Sequence, residues 1–348
     1  MTICCIFRSY VDQRRFDEAG VKVVSLQAET RNERPRAVGK LVRLAKQADV
    51  VQCTMWDASL WGRIAAILAR KPVVVADHAT NRSIQLATSG QSRQRWIALH
   101  NRLLDRFTYA TVICAESQRE VLRSEGVDPG KIVYIPNGIP LDQITAAAEH
   151  PPTRASLGID GDGPIVAQIG VFRPEKNQIG GIETVAALRE SVPDARLALI
   201  GDGDDRGEVE GKADALDARG WAHFVGFRDD IAALLGLADL MLLPSISDAL
   251  PVTVLEAMTV GVPVVATDVG DVAATLGEAG ICVPRPDPAE LAAACAEVLT
   301  DPARAVRMAE IGRERSHAFG ATEMARRYAE VFERAAAREP LPRALPTA

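Results

Sequence analysis

The 348-residue sequence has few aromatic residues, no long hydrophobic run and no C-x-x-C cysteine pair. Aromatics make up only 5% of it, while Ala, Val, Leu, Ile and Gly dominate, which suits helices packed on buried parallel strands. No apolar run approaches the ~18 residues of a transmembrane helix, and no signal-peptide pattern opens the chain. The six scattered cysteines do not indicate a zinc site and are typical of reduced thiols in a cytoplasmic protein.

The net charge of -6 hides a difference between the two halves of the chain. Residues 1–150 carry 21 basic and 15 acidic side chains, whereas the remainder carries 19 basic and 31 acidic ones. A basic first half fits an anionic partner, such as a lipid surface or a phosphorylated acceptor, and an unselected surface difference fits equally well. The pI of about 5.5 and the lack of a recognisable module argue against nucleic-acid binding.

Short apolar runs alternate with amphipathic helical stretches along most of the chain. Twelve strands are predicted, at Ile3–Phe7, Val21–Leu26, Val50–Cys53, Val73–Ala76, Thr111–Ala115, Val133–Ile135, Ile165–Ile169, Arg196–Ile200, His223–Val225, Leu240–Leu243, Val262–Ala266 and Gly280–Val283. Helices are predicted between the early strands and at the end, at 36–47, 61–69, 94–107, 117–125, 288–299, 303–314 and 321–337. This alternation implies parallel sheets with right-handed crossovers.

The alternation lapses once, at residues 149–164, where a Pro pair and a run of turn formers predict an interdomain connection. The sequence therefore predicts an α/β fold of two Rossmann-like, doubly wound domains, 1–150 and 151–315. Their sheets face a cleft in which ligands bind. Residues 316–337 are predicted to form a helix that packs back towards the first domain, and 338–348 a disordered tail.

The most informative stretch is LPSISDALPVTVLEAMTVGVPVVATDVGD, residues 243–271. A buried strand ends at Pro244, and a helix begins near Pro251, where proline suits the first turn. The amides of Val252, Thr253 and Val254 then point out of a helix N-terminus, which favours an anion such as a diphosphate. Asp248 and Glu256 flank this terminus. Glu256 lies in an apolar helix, where ribose hydroxyls or backbone amides would satisfy its carboxylate.

This stretch resembles the signature of the retaining GT-B glycosyltransferases of family 4. The likeness lies in an acid, seven residues, Glu-Ala-Met, a Gly-x-Pro-Val-Val-Ala strand and a Gly-rich turn. Further blocks resemble the same family, namely NGI (137–139), IGVFRPEKNQ (169–178), LALIGDGDD, FVGFRDDIAALLGLADLMLLPS and CVPRPDPAELAAA. In all, the resemblance covers roughly residues 45–335.

The resemblance assigns expected roles residue by residue. Glu256 is expected to hydrogen-bond the donor ribose, Asp248 to contact the transferred sugar, and Lys176 to neutralise the donor diphosphate. The backbone amides of Val252, Thr253 and Val254 are expected to bind phosphate. The remaining expected site residues are Gly170 in the phosphate-binding loop, Gly226, Phe227 and Arg228 at the base, and His78 lining the cleft.

The resemblance also implies a reaction in which a UDP- or GDP-sugar donates its sugar, with retention, to a glycan or lipid-linked saccharide. The leaving diphosphate would help to deprotonate the acceptor, while the protein stabilises charge and positions the reactants. No cofactor or metal is expected, because cationic side chains and the helix terminus serve instead. The expected location is cytoplasmic, with peripheral contact at the inner face of the membrane.

Three departures from the family pattern leave an alternative open. The family arginine falls on Val171, and Arg173, two residues later, is expected to reach the same phosphate from a different backbone position, with a surface residue as the alternative. Asp248 is one methylene shorter than the family glutamate. The beginning also looks short of the usual first strand and Gly-rich turn of the N-terminal domain. The alternative is a catalytically degenerate GT-B protein that binds a sugar nucleotide or a partner glycosyltransferase.

Residues 82–107 form a basic segment that suits a membrane headgroup region or, equally, a solvated helix face or a helix with Trp96 in the core. Its marked side chains are Arg82, Arg93, Arg95, Trp96, Arg102 and Arg106.

Overall fold

The computed structural model describes residues 1–6, 13–28, 33–54, 56–78 and 91–341. The described residues form twelve strands, each at a position predicted from the apolar runs. They are β1 (Thr2–Cys5), β2 (Lys22–Ser25), β3 (Val51–Thr54), β4 (Val73–Asp77), β5 (Thr108–Ile113), β6 (Ile132–Tyr134), β7 (Ile165–Ile169), β8 (Arg196–Ile200), β9 (Ala222–Gly226), β10 (Leu240–Leu243), β11 (Val264–Thr267) and β12 (Gly280–Val283).

Helices alternate with these strands, which confirms the α/β prediction. The described helices are α1 (Gln13–Glu18), α2 (Glu33–Lys46), α3 (Trp56–Ala69), α4 (Gln91–Asp105), α5 (Gln118–Ser124), α6 (Leu141–Ala148), α7 (Gln178–Leu188), α8 (Arg206–Ala215), α9 (Ile231–Leu235), α10 (Val252–Val260), α11 (Val272–Leu276), α12 (Pro288–Leu299), α13 (Pro302–Ser316) and α14 (Ala321–Ala337). Short 3-10 turns, among them Pro174–Lys176, connect several elements.

The N-terminal domain contains two parallel sheets. Strands β3, β4, β5 and β6 lie side by side in that order, and β1 pairs with β2 in a separate two-stranded sheet. Strand β4 is buried along its whole length, as the apolar run Val73–Ala76 that precedes its last residue, Asp77, predicts for a parallel strand covered on both faces. Within the described ranges no strand pairing joins β1 or β2 to β3, and helices α2 and α3 pack against each other.

The C-terminal domain is a six-stranded parallel sheet in the order β12-β11-β10-β7-β8-β9. Its two faces carry separate cores. One contains Leu234 and Leu255 from helices α9 and α10, and the other contains Ile182 and Leu291 from helices α7 and α12. Because helices cover both faces of the sheet, the loops that follow its strands lie at its carboxyl edge. The candidate site is formed by these loops.

Helix α6 precedes the predicted connection at 149–164, yet it packs in the C-terminal domain. Ile144 belongs to the core that contains Leu234 and Met258, and α6 contacts both α9 and α10. Helix α6 therefore packs with helices of the C-terminal sheet, and the boundary at residue 150 stays a prediction. The sequence indicated an apolar helix face here, but a helix face does not specify which of two cores receives it.

Helix α14 returns to the N-terminal domain, where Val331 and Ala335 pack against Val74 and Val112 of its sheet. The Tyr109 hydroxyl donates to the carbonyl of Glu339 at 2.8 Å, just beyond the end of this helix. Helix α14 thus ties the end of the chain to the first domain. Most of the predicted disordered tail, 342–348, lies outside the described residues.

Helix α4 and the turn that follows it carry an exposed apolar stripe. Leu99, Leu103 and Phe107 follow one another at intervals of four residues and are 56%, 46% and 51% exposed. The Arg106 guanidinium lies 5.6 Å from the centre of the Phe107 ring. Arg82 and the side chains of Arg93, Arg95 and Trp96 lie outside the described part of the chain. None of the described helices is both long and apolar enough to cross a bilayer.

Candidate functional site

The candidate site lies where the strand order of the C-terminal sheet reverses. Strand β7 pairs with β8 on one side and with β10 on the other, and all three strands are parallel. The loops that leave β7 and β10 therefore start side by side at the carboxyl edge of the sheet and diverge. Crevices of this kind are the usual ligand sites of doubly wound sheets.

Lys176 and Asp248 come together in this crevice. Lys176 ends the 3-10 turn after β7, Asp248 lies in the loop after β10, and the Lys176 ammonium forms an ion pair with Oδ2 of Asp248. The Lys176 side chain is 24% exposed, whereas that of Asp248 is only 2% exposed. A Cβ on Gly170 would lie 3.6 Å from Cγ and Cδ of Lys176, so the lysine stem crosses the end of β7.

Hydrogen bonds join these two loops. The amide of Ile246 donates to the carbonyl of Glu175 at 2.8 Å. Asn177 donates through Nδ2 to the carbonyl of Pro244 at 3.0 Å, and its Oδ1 accepts from the amide of Gly180 at the start of α7. The loops that carry Lys176 and Asp248 are therefore held as one unit.

Helix α10 begins four residues after Asp248. Pro251 precedes it in extended conformation, and the Val254 amide donates to the carbonyl of Pro251 at 3.1 Å. Of the three amides predicted to bind phosphate, that of Val254 is thus engaged, while those of Val252 and Thr253 have no hydrogen-bond partner among the described residues. The positive end of the helix dipole adds to their attraction for an anion.

Glu256 is half-buried in the second turn of α10. It lies four residues after Val252 and therefore on the same face of the helix. Burial raises the pKa of the Glu256 carboxyl from 4.5 to about 7. No charged group offsets this burial, so the carboxyl is suited to accept hydrogen bonds from a ligand hydroxyl.

Glycines end the three neighbouring strands β7, β8 and β9. The Gly170 amide donates to the carbonyl of Ile200, and the Gly201 amide to that of Gly226, both at 2.9 Å. Gly201 has φ +137°, and a Cβ there would lie 2.0 Å from the carbonyl oxygen of Gly170. With strands about 4.8 Å apart, these glycines form a floor about 10 Å long that has no side chains of its own, and the Lys176 stem crosses its β7 end. We call it the glycine floor.

Phe227 and Arg228 stand at the far end of the glycine floor. The Phe227 side chain is 79% exposed. Arg228 donates through Nε and Nη2 to the two oxygens of Asp230, at 2.7 and 2.5 Å, which holds the guanidinium plane in place. An open aromatic face and a fixed guanidinium thus border this end.

Arg173, the expected substitute for the family arginine, is exposed. It precedes the turn that contains Lys176, and none of the described residues forms a hydrogen bond or an ion pair with its side chain. Val171, at the family position of that arginine, is also exposed. A phosphate role for Arg173 stays a prediction.

His78 directly follows β4, at the carboxyl edge of the N-terminal sheet. Burial lowers the pKa of its imidazole and outweighs the raising effect of the neighbouring Asp77 charge. The hydroxyl of Tyr328 in α14 lies 3.5 Å from Nε2 of His78. The returning helix therefore borders the histidine.

Two contacts that the sequence reasoning missed join the domains at the site. Asn137 donates through Nδ2 to the carbonyl of Leu250 at 2.8 Å. The carboxylate of Asp271 accepts from the amides of Glu116 and Ser117, at 2.5 and 3.0 Å. Both residues lie in motifs that the sequence displays, NGI and the Gly-rich turn, but their partners are more than 100 residues away.

Comparison with known proteins places this geometry in a family. The model of the glycosyl transferases group 1 matches residues 150–315, and that of the glycosyl transferase 4-like domain matches residues 1–138. The chain is similar to a 2-deoxystreptamine glucosyltransferase of Streptomyces kanamyceticus, with 27% identity over 80% of this chain and 76% of the relative. It is also similar to the UDP-Gal:alpha-D-GlcNAc-diphosphoundecaprenol alpha-1,3-galactosyltransferase of Escherichia coli, with 26% identity over 66% of this chain and 60% of that enzyme.

The fold matches the crystal structure of Anabaena HepE in complex with UDP and glucose. The TM-score is 0.84 at 20% identity, over 95% of this chain and 91% of HepE. The two family models together match most of the chain, and the matched fold aligns with 95% of it. The chain belongs to the glycosyl transferases group 1 family of glycosyltransferases with the GT-B fold.

Proposed function

We propose that the protein transfers a sugar, with retention of configuration, from a UDP- or GDP-sugar to a glycan or lipid-linked saccharide. The observation that carries this proposal is the ion pair of Lys176 with Asp248 at the switch point, directly before the N-terminus of α10. Lys176 and the amides of Val252 and Thr253 supply positive charge at one place, as a donor diphosphate requires.

The rest of the donor follows from the surface around this point. The glycine floor offers a path without side chains from the diphosphate to Phe227, which suits a flat nucleoside. Glu256, half-buried on the same side of α10 as Val252, would accept hydrogen bonds from the ribose. The base would meet the backbone of Gly226, Phe227 and Arg228. HepE has been crystallised with UDP and the Escherichia coli relative is named for UDP-Gal, which favours UDP.

The state of the two site carboxylates favours direct transfer, in which the acceptor attacks the sugar on the face that the diphosphate leaves. A double displacement needs an accessible carboxylate nucleophile near the sugar carbon. Asp248 is buried and engaged by Lys176, and Glu256 carries a pKa of about 7 on the helix that is proposed to hold the ribose. We therefore assign the protein the task of stabilising the leaving diphosphate while its oxygen takes the acceptor proton. Lys176 and the α10 amides neutralise the negative charge of the diphosphate, a task that a metal ion would otherwise perform.

A screen of nucleotide sugars tests this function. A panel of UDP- and GDP-sugars is added to the protein during thermal unfolding, and the cognate donor is expected to raise the Tm because it binds only the native state. Transfer from that donor is then measured with a chelator present, where it is expected to persist. No Tm shift from any member of the panel would contradict the proposal, and binding without turnover would favour the degenerate alternative.

A lipid-linked acceptor would bring the enzyme to a membrane, and the stripe on α4 suits that contact. Leu99, Leu103 and Phe107 form the apolar side, and Arg106 lies beside it in a half of the chain that is net basic. Apolar residues with basic neighbours bind the headgroup region of anionic membranes. The Escherichia coli relative is named for a diphosphoundecaprenol acceptor, which belongs to this class.

The membrane contact predicts selective vesicle binding. The protein is expected to sediment with phosphatidylglycerol vesicles more than with phosphatidylcholine vesicles, and less at high salt. Leu99→Ser with Leu103→Ser is expected to lower this binding about tenfold, because two apolar side chains no longer enter the headgroup region. Leu216→Ser, at an exposed leucine of the other domain, is the matched control. Equal binding to both lipids, or an equal loss in the control, would exclude the stripe.

A further inference from the structure

The carboxylate of Asp248 is buried and already has partners, so it is poorly placed to contact the transferred sugar. Its side chain is 2% exposed, its Oδ2 pairs with the Lys176 ammonium, and its Oδ1 accepts from the Ala249 amide at 3.2 Å. We propose that Asp248 is a positioning residue that fixes the ammonium of Lys176 for the donor diphosphate, and that it does not bind the transferred sugar. This role rests on the proposed function, and it replaces the sugar contact that the family resemblance implied.

The backbone around Asp248 is held on both sides, and its carboxylate is held by the Lys176 ammonium and the Ala249 amide. On one side, Ile246 is bonded to the loop that carries Lys176. On the other, Gly270 has φ +58°, and a Cβ there would lie 2.3 Å from the carbonyl oxygens of both Asp248 and Ala249. The Asp271 amide also donates to the Ala249 carbonyl at 2.9 Å. The short aspartate side chain therefore stays beneath the loop.

A carboxylate in this place changes what the lysine can do. A free lysine side chain has four rotatable bonds and loses that freedom when it binds a phosphate. The ammonium has three donors, of which Asp248 engages one, so the others remain for the diphosphate. The lysine stem also lies over Gly170, which removes further freedom. Asp248 thus orders Lys176 before the donor arrives.

Nucleotide binding with and without the sugar separates the two roles. Binding of UDP and of UDP-glucose is measured by isothermal titration for wild type, Asp248→Asn, Lys176→Met and the double variant. Positioning predicts that Asp248→Asn weakens both ligands by the same factor, about tenfold, and that it changes nothing when Lys176 is already methionine. A sugar contact predicts that UDP binding is unchanged, that only UDP-glucose is weakened, and that this loss persists in the Lys176→Met background.

Glu183→Gln is the matched control, because Glu183 pairs with Lys212 on helices α7 and α8 in the same domain. It is expected to bind both ligands as wild type does. If Asp248→Asn does not fold, Lys176→Met is compared with the double variant. Equal UDP-glucose affinity supports positioning, and a further loss overturns it. A loss confined to UDP-glucose overturns this role alone, whereas a wild-type chain that binds neither UDP nor GDP overturns the donor site as well.

Discussion

Lys176→Met is expected to lower the rate of sugar transfer at least about 100-fold. The leaving diphosphate gains negative charge in the transition state, and removing an oriented cation from such a site costs a factor of this order. Lys176, in the loop after β7, forms an ion pair with Asp248 in the loop after β10, four residues before α10 begins. The measurement is kcat/KM with the donor that the thermal screen identifies.

Two further variants define this effect. Lys176→Arg keeps the positive charge and is expected to retain more activity than Lys176→Met, although its planar group fits the pair with Asp248 differently. Lys212→Met removes a surface lysine of the same domain that also pairs with a carboxylate, and it is expected to act as wild type does. Transfer by Lys176→Met within about threefold of wild type would remove Lys176 from the mechanism.

Glu256→Gln is expected to lower transfer at least about 100-fold while making the ligand-free protein more stable at pH 8. The loss of activity follows if the ionised carboxylate accepts hydrogen bonds from the ribose in a site with little water. The gain in stability follows from burial, which raises the pKa of Glu256 from 4.5 to about 7 without a compensating charge. Glutamine has the same shape and stays neutral, so it avoids the free-energy cost of a buried negative charge.

The pH dependence fixes the sign of this stability effect. Between pH 4.5 and about 7 the folded protein holds a proton on Glu256 that the unfolded chain releases. This group therefore lowers the free energy of unfolding as the pH rises through that range, and its cost is fully present above pH 7. Urea unfolding at pH 5 and pH 8 should show Glu256→Gln gaining on wild type only at pH 8.

Donor binding should change in the opposite sense with pH. If the carboxylate form binds the ribose, affinity for UDP is expected to rise between pH 6 and pH 8 in wild type. Glu256→Gln should lack this rise. An unchanged difference in stability at the two pH values, together with normal transfer, would show that Glu256 neither carries the raised pKa nor contacts the donor.

Local pattern predicted most of the architecture. An unbroken apolar run such as that of β4 has one favourable place, a parallel strand covered on both faces, and each predicted strand is present. Helix α6 shows the limit of this reasoning. Its apolar face predicts a helix, but Ile144 enters the core of the second domain, although the expected connection begins only after α6. Which core receives a helix depends on packing between distant segments.

For the candidate site, residues that are neighbours in sequence were predicted more fully than residues that meet across the fold. The start of α10, with Glu256 in its second turn, follows from a proline, a helical pattern and one acidic residue. The hydrogen bond from the Val254 amide to the Pro251 carbonyl could not be predicted, because it depends on the backbone angles of the first turn. The contacts of Asn137 with Leu250 and of Asp271 with Ser117 join opposite domains.

The sequence by itself determined two parallel α/β domains, their strands and the helix terminus that suits a diphosphate, because periodicity and helix-start signals act over a few residues. Only the tertiary structure decided that Lys176 pairs with Asp248 and that the aspartate is buried beneath its loop. The two residues lie 72 positions apart, and they meet because β10 pairs with β7 on the side opposite β8. Strand order is set by the packing of whole sheet faces, and no local pattern encodes it.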